Sequence, residues 1–274
     1  MEELAHAKVN FSLRVLRRRP DGFHEIDTLM VPITLCDSIE ITAARAFEFR
    51  CSERALPSGG DNLVVRAARL FFAETNRSPE VRIVLSKRIP HGAGLGGGSS
   101  DAAATLRVLN RFFDAGLARA RLIELAAQLG SDVPFFIDEK PAICRGRGEI
   151  VTPATLPSGF RLLLLKPEFG VATSWAYSRW RNARALHGIG YEAQQLGGQN
   201  LVNDLERPVF EKFVFLAQMK NWLLRQAEVA GALLSGSGST VFGVLRDVGS
   251  GEALIRRARA ELDPNLWAHS CETM

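Results

Sequence analysis

The residues best suited to chemistry lie in residues 90–101, which read Pro-His-Gly-Ala-Gly-Leu-Gly-Gly-Gly-Ser-Ser-Asp. The alternating apolar residues of 81–85, just before this segment, predict a strand. Apolar residues after it, at spacings of 4, 3 and 4, predict one face of an amphipathic helix: Ala102, Leu106, Leu109 and Phe113. The predicted order is therefore strand, glycine loop (residues 92–100) and helix.

This arrangement suits an anion. The first turn of a helix has unpaired N–H groups and a positive dipole end, and glycines let the backbone approach a ligand closely. Ser99 and Ser100 could cap the helix, bind phosphate oxygens or ligate a magnesium ion. A flexible turn with an ordinary cap is the alternative, but five glycines within residues 92–98 favour a phosphate site.

Phosphate loops of three common classes fit less well. Gly92, Gly94 and Gly97 have the spacing of the dinucleotide fingerprint, but several strand-like segments come before them. No Gly-Lys-Ser/Thr closes a Walker A loop. The His-Arg-Asp and Asp-Phe-Gly motifs of protein kinases are also missing from the sequence.

Composition sets the broad class. The chain has 274 residues, 46% of them hydrophobic and 23% charged, which allows one large domain or two ordinary ones. A net charge of +4 is compatible with binding of a phosphorylated substrate, but general surface charge would explain it equally well. Four widely spaced cysteines predict free thiols in a reducing cytosol, and no zinc. Without an apolar run of roughly 20 residues or a signal peptide, we expect a cytoplasmic protein with no membrane segment.

Two ionisable side chains occupy defined positions elsewhere. Residues 7–15 alternate as a strand, so Lys8 and Asn10 project from one face roughly 7 Å apart, although a half-solvated strand would show the same pattern. Asp132 lies between Gly130, which ends a helix predicted from Ala120, and Pro134. Such a turn fixes a carboxylate for function, or provides an N-cap for a short helix at Pro134.

The other elements are predicted from periodicity and turn residues. They are a turn at Pro20-Asp21-Gly22, strand-like residues 26–42, a helix capped by Asp61 and Asn62 and running to Glu74, a Gly/Pro-rich domain boundary within 145–160, a strand at 161–165, a loop at 182–200, helices within 204–227, a Ser/Gly loop entering a strand at 234–245, and a helix at 252–262.

Three of these segments together resemble the GHMP kinases, the family of galactokinase, homoserine kinase and mevalonate kinase. The matching motifs are Ala7-Lys8-Val9-Asn10, Pro90-x3-Gly94-Leu95-Gly96-Gly97-Gly98-Ser99-Ser100 and Leu234-Ser-Gly-Ser-Gly238. Further motifs resemble the members that phosphorylate a cytidylyl-linked methylerythritol in the non-mevalonate isoprenoid pathway: Arg19-x-Asp21-Gly22-Phe23-His24, Asp61-Asn62-Leu63, Gly130 to Phe136 and Asn203-Asp204-Leu205-Glu206. Two residues depart from the usual pattern, Phe23 for Tyr and Ser131 for Ala.

The resemblance implies an α+β two-domain fold. Residues 1–155 would form an ATP-binding domain like ribosomal protein S5, and residues 156–274 a ferredoxin-like domain. It also implies an ATP-dependent kinase that uses Mg²⁺ and transfers a phosphoryl group to the 2-hydroxyl of a small cytidine diphosphate substrate. We expect no nucleic-acid partner, and a monomer or weak homodimer.

The resemblance also implies roles for individual residues. Lys8 and Asp132 would be catalytic, with Asp132 as the base, and Ser99 or Ser100 would meet the metal. ATP would contact Asn62, Lys87, Pro90, His91, Gly92, Ala93, Gly94, Leu95, Gly96, Gly97, Gly98, Ser99 and Ser100. The substrate would contact Asn10, Phe23, His24, Thr173, Tyr177, Gly236 and Gly238, with His24 at the cytosine edge, Phe23 and Tyr177 stacked on the base, and the two glycines offering N–H groups to the diphosphate.

Three alternatives stay open from the sequence. Another GHMP kinase would act on a different small alcohol, which the Phe23-His24 pair argues against. An RNA-binding S5-like protein would suit the basic charge but leaves the glycine loop without a role. An ATP-binding protein without catalysis is disfavoured because Lys8 and Asp132 are both present.

Overall fold

The computed structural model describes residues 1–156, 159–247 and 249–274. Its strands, in chain order, are β1 (Glu2–Arg18), β2 (His24–Ala43), β3 (Glu48–Cys51), β4 (Val81–Ser86), β5 (Ala142–Gly146), β6 (Ile150–Pro153), β7 (Arg161–Lys166), β8 (Gln194–Leu196), β9 (Gln199–Asn203), β10 (Val229–Leu234), β11 (Val241–Leu245) and β12 (Trp267–Glu272). The helices are α1 (Leu63–Thr75), α2 (Gly97–Phe112), α3 (Arg119–Leu129), α4 (Thr173–Arg179), α5 (Glu206–Lys212), α6 (Val214–Leu224) and α7 (Gly251–Glu261).

The first sheet has eight strands, in the order β3-β4-β2-β1-β9-β8, with β5 pairing β2 and β6 pairing β5. Its centre is the long antiparallel hairpin of β1 and β2, joined at the predicted turn, where Asp21 Oδ1 accepts a hydrogen bond from the Phe23 N–H at 3.1 Å. The predicted apolar face of β1 is buried at Val9, Phe11 and Leu13. On the opposite face, Lys8 and Asn10 are buried as well, so this part of the strand does not face open solvent.

Helices α1, α2 and α3 cover the first sheet and form one core with it. As predicted, Asn62 caps α1 by accepting a hydrogen bond from the Val64 N–H at 2.9 Å. Helix α2 begins at Gly97, inside the glycine loop, so the loop's last residues form the helix's first turn. This start gives the loop the free N–H groups that the sequence predicts.

The second sheet has four strands, in the order β10-β11-β7-β12. A separate core joins this sheet to helices α4 to α7, with Leu216, Met219 and Leu223 of α6 buried as predicted. None of the helices within the described ranges is long and apolar enough to cross a membrane.

Two stretches differ from the sequence prediction. The predicted loop 182–200 contains β8 and the start of β9, and β9 pairs in parallel with β1 at Ser12–Val202 and Leu13–Asn203. These strands were missed because they are short and rich in Gln and Asn, which carry no apolar alternation. Within the predicted boundary 145–160, the structure has part of the β5–β6 hairpin, which belongs to the first sheet.

Candidate active site

A cavity of about 1100 Å³ is lined by residues of both halves of the chain. It contains most of the residues that the sequence predicts for the site: Lys8, Asn10, Phe23, His24, Asn62, Lys87, Pro90, His91, Gly92, Ala93, Gly94, Leu95, Gly96, Gly97, Gly98, Ser99, Asp132, Thr173, Tyr177 and Gly236. The fold therefore gathers side chains that are far apart in the sequence into one space.

Lys8 and Asp132 form the charged pair of the cavity. Lys8 Nζ lies 3.8 Å from Asp132 Oδ2, and the side chains are 4% and 32% exposed respectively. Burial lowers the pKa of Lys8, and the nearby Asp132 carboxylate opposes this shift. Asp132 precedes a short 3-10 helix, Pro134–Ile137, which has no side-chain cap at its N-terminus, so the capping alternative lacks its hydrogen bond. The carboxylate is left accessible to a small molecule.

A chain of hydrogen bonds fixes the position of the Lys8 side chain. Lys8 Nζ donates to Asn10 Oδ1 at 2.6 Å, and Asn10 Nδ2 donates to Thr28 Oγ1 at 2.7 Å. Thr28 in turn donates to the Ser12 carbonyl at 2.6 Å. The Lys8 backbone N–H donates to Leu95 O at 3.0 Å, which joins β1 to the glycine loop. These contacts hold the ammonium group in one position beside the loop.

The glycine loop packs directly against the serine–glycine loop, residues 235–239. Gly94 has φ +74°, and a Cβ there would overlap with the Ser235 carbonyl oxygen and lie 2.9 Å from Gly238 O. Gly236 has φ +55°, and a Cβ there would lie 3.4 Å from Lys8 Nζ. The positive φ favours glycine at both positions, and at Gly94 the overlap with Ser235 O also excludes a side chain.

Lys87, predicted to contact ATP, is held by two buried acids. Its Nζ donates to Asp101 Oδ2 at 2.6 Å and to Asp37 Oδ2, while Asp37 Oδ1 accepts the N–H groups of Arg88 at 2.5 Å and Ile89 at 2.9 Å. Burial lowers the pKa of Lys87, but the two carboxylates outweigh it and the net shift is upward. Burial, followed by the neighbouring Asp37, raises the pKa of Asp101 to about 7.

Another part of the cavity is lined by an aromatic corner, which is formed by Phe23, His24 and Tyr177. The rings of His24 and Tyr177 lie 5.3 Å apart between centroids, and Trp180 meets His24 edge-on at 6.0 Å. Burial lowers the pKa of His24, helped by nearby arginines, so the imidazole is neutral at pH 7. Phe23 is 48% exposed, and Arg147 lies over its ring at 4.8 Å. This corner suits a flat, polar-edged ring.

Comparison with known proteins identifies the family. Residues 62–140 match the GHMP kinases N terminal domain, and residues 186–263 match the GHMP kinases C terminal family. A 4-diphosphocytidyl-2-C-methyl-D-erythritol kinase of Methylacidiphilum infernorum is 41% identical over 279 residues, covering 100% of this chain and 97% of that protein. The chain belongs to the GHMP kinase family.

Solved structures agree with this membership. A crystal structure of 4-(cytidine 5'-diphospho)-2C-methyl-D-erythritol kinase is 36% identical in sequence and superposes with a TM-score of 0.80. The match covers 100% of this chain and 99% of that one. Homoserine kinase from Cytophaga hutchinsonii is 16% identical and has a TM-score of 0.69, over 100% of this chain and 94% of that one. At this identity the match shows the shared fold. The predicted two-domain GHMP kinase fold is confirmed.

Two predicted residues lie outside the cavity of this GHMP kinase. Ser100 is fully buried on α2, so its hydroxyl is not available to ATP or to a metal in this conformation, whereas Ser99 lines the cavity. Gly238 does not line the cavity either, and its N–H donates to Ser235 O at 2.8 Å. Its predicted contact with the substrate diphosphate therefore lacks a free donor, and of the two glycines only Gly236 faces the cavity.

Sequence reasoning missed three polar residues of the GHMP kinase site, Asp37, Asp101 and Arg147. Asp37 lies within the strand-like pattern of β2, where an alternating polar residue reads as solvent-exposed. Asp101 directly follows the motif that matches the family, and no role was predicted for it. Arg147 lies in a turn between β5 and β6, and no sequence pattern indicated a role for it.

Proposed function

We propose that this protein is a 4-diphosphocytidyl-2-C-methyl-D-erythritol kinase, which transfers the γ-phosphoryl group of ATP to the 2-hydroxyl of that substrate in isoprenoid precursor synthesis. The proposal is supported by relatives of that name at 36–41% identity over nearly the whole chain. The structural observation that carries it is a cavity with the Lys8–Asp132 pair beside a glycine loop and an aromatic corner around His24. We further propose that it acts in the cytoplasm, as a monomer or weak homodimer.

Asp132 is the proposed base. An aspartate carboxylate is a weak base, which suits a loose phosphoryl-transfer transition state in which the proton leaves late. Asp132 accepts the proton of the 2-hydroxyl as the oxygen attacks the γ-phosphorus, and ADP leaves. Lys8, whose Nζ lies 3.8 Å from Asp132 Oδ2, orients this carboxylate and stabilises the negative charge on the transferring group.

The glycine loop is the proposed phosphate site. Main-chain N–H groups at the start of α2 would bind the triphosphate of ATP, and Asn62 and Lys87, which line the same cavity, would contact the adenosine. No cluster of three or more His, Cys, Asp or Glu occurs in the described part of the chain. Mg²⁺ binds few protein groups when phosphates and waters supply the other ligands, so Ser99 fits as its protein ligand. When bound, the ion neutralises charge on the phosphates.

The aromatic corner is the proposed cytosine site. Neutral His24 can hydrogen-bond the cytosine edge, and Phe23 and Tyr177 offer rings for stacking, a contact worth roughly 1–3 kcal/mol per base in other systems. Asn10, Thr173 and Gly236 line the same cavity and would contact the rest of the substrate. A substrate with a base at one end and an alcohol at the other would span the cavity.

A coupled assay of ADP release tests the proposal. The purified protein is given ATP with the cytidylyl substrate, with mevalonate or with homoserine. We expect turnover with the cytidylyl substrate alone. Equal or faster turnover with mevalonate or homoserine would assign the protein to a different kinase of the family, and absence of turnover with all three would contradict the proposal.

A further inference from the structure

The motif Asn203-Asp204-Leu205-Glu206 lies at the end of β9 and none of its residues lines the cavity. Its three polar side chains nevertheless contact elements that carry cavity residues. Asn203 and Glu206 both contact Leu234 at the end of β10, and Asp204 contacts β1, so together they connect β1 to the serine–glycine loop.

Asn203 holds the beginning of the serine–glycine loop. Its side-chain Nδ2 donates to Leu234 O at 2.8 Å and to Gly236 O at 2.7 Å, and its Oδ1 accepts the Leu205 N–H at 2.9 Å. Asn203 is only 4% exposed. A buried amide with both hydrogens on one loop fixes the direction of the two carbonyl groups that it contacts.

Asp204 holds β1. Its Oδ2 accepts the Val15 N–H at 2.9 Å, its Oδ1 accepts from Arg14 Nη1 at 2.9 Å, and its own N–H donates to Leu13 O at 2.9 Å. The strand held in this way is the one that carries Lys8 and Asn10. Adjacent residues of the motif thus hold the strand and the loop.

Glu206 holds the end of β10. Its Oε1 accepts the Leu234 N–H at 3.0 Å, and its Oε2 accepts from Lys220 Nζ at 2.6 Å. Both side chains are 1% exposed. The Leu234 carbonyl therefore accepts a hydrogen bond from Asn203, and the Leu234 N–H donates one to Glu206. Leu234 immediately precedes the serine–glycine loop.

The position of the serine–glycine loop matters to both halves of the cavity. The Gly236 position lies against Lys8 Nζ and Asn10 Oδ1, at 3.4 and 3.5 Å from a Cβ built on this glycine. Ser235 Oγ donates to Gly94 O at 3.0 Å, and the Thr240 N–H donates to Ala93 O at 3.1 Å. A shift of the serine–glycine loop would therefore move the glycine loop and disturb the surroundings of Lys8.

We propose that Asn203 is a positioning residue, whose amide sets the serine–glycine loop against Lys8 and the glycine loop, with Asp204 and Glu206 fixing the two elements it joins. As far as catalysis is concerned, this inference rests on the proposed function. Displacing reacting groups by about 1 Å costs on the order of a hundredfold in rate. Loss of the amide should therefore lower kcat in molecules that stay folded.

The test compares Asn203→Asp with Asn200→Asp. Both substitutions replace an amide by a carboxylate on β9, but Asn200 is exposed and, among the described residues, its side chain hydrogen-bonds only to Gln195. In Asn203→Asp a carboxylate would face two carbonyl oxygens and lose both donors. We expect kcat per folded molecule to fall roughly 10- to 100-fold in Asn203→Asp and to stay at the wild-type value in Asn200→Asp. Circular dichroism at the assay temperature gives the folded fraction.

Two further measurements separate positioning from simple destabilisation. The ratio of variant to wild-type kcat should rise as pH falls, because protonation of the introduced carboxyl restores one donor. Hydrogen exchange of the backbone at residues 234–240 should be faster in Asn203→Asp and unchanged in Asn200→Asp. A wild-type kcat per folded molecule in Asn203→Asp, or unchanged exchange in that segment, would overturn the inference. A wild-type protein inactive on the cytidylyl substrate would contradict the proposed function alone, and the exchange measurement would still decide the role of Asn203.

Discussion

Lys8 Nζ and Asp132 Oδ2 lie 3.8 Å apart, although the glycine loop separates the two residues in the sequence. The lysine is held by Asn10 and is buried, while about a third of the aspartate side chain stays exposed to the cavity. The difference in exposure divides their roles. The buried ammonium supplies a fixed positive charge, and the accessible carboxylate is free to take a proton from a bound alcohol.

Replacing the proposed base should stop the chemistry and leave ATP binding intact. In Asp132→Asn the amide keeps the size of the side chain but cannot accept the proton, so kcat should fall by roughly 10²- to 10⁴-fold. Steady-state kinetics and ATP binding by calorimetry measure the two effects. Asp138→Asn is the control, because Asp138 follows in the same segment and pairs with Arg119 at the surface. Near-wild-type kcat in Asp132→Asn would remove Asp132 from this role.

A methyl group at Gly94 should disrupt the contact between the two loops. Gly94→Ala would force the Cβ against the Ser235 and Gly238 carbonyl oxygens, so kcat/KM for ATP should fall at least tenfold as the glycine loop moves. Gly116→Ala is a matched control, since Gly116 also has a positive φ of +66° but no atom within 4 Å of its Cβ position. Both variants carry backbone strain of on the order of 1 kcal/mol. Equal kinetics in the two variants would show that packing at Gly94 does not matter.

The sequence predicted local features of the site better than long-range ones. Strand alternation put Lys8 and Asn10 on one face, a Gly–Pro turn held Asp132, and the glycines marked the start of α2, because each pattern lies within a few neighbouring residues. The catalytic roles of Lys8 and Asp132, however, were predicted from the resemblance to the GHMP kinases and not from these patterns. The ion pairs of Lys87 with Asp37 and Asp101 join three separate elements, and no local pattern indicates which polar residues of a strand will meet. The pairing of β9 with β1 was missed for the same reason.

The stability of the protein should depend on pH through Asp101. Its folded-state pKa of about 7 is above the unfolded value of about 3.9, so between these values the folded protein binds a proton that the unfolded chain has released. The free energy of unfolding should therefore decrease as pH rises from about 4 to about 7. Urea unfolding across this range should show a shallower decrease for Asp101→Asn. Asp114→Asn, at an exposed position, should follow the wild type, and parallel curves for all three proteins would contradict this assignment.

Removing one partner of the buried ion pair between Lys220 and Glu206 should lower the free energy of unfolding. Lys220→Met leaves the Glu206 carboxylate buried without its cation, which typically costs about 3–5 kcal/mol. Chemical denaturation should show a loss of this size, whereas Lys140→Met, at an exposed position, should be close to neutral. Adding Glu206→Met to Lys220→Met removes the second charge and should recover part of the loss, short of the wild type because the Leu234 N–H loses its acceptor. Additive losses in the double variant would mean that the two side chains do not stabilise each other.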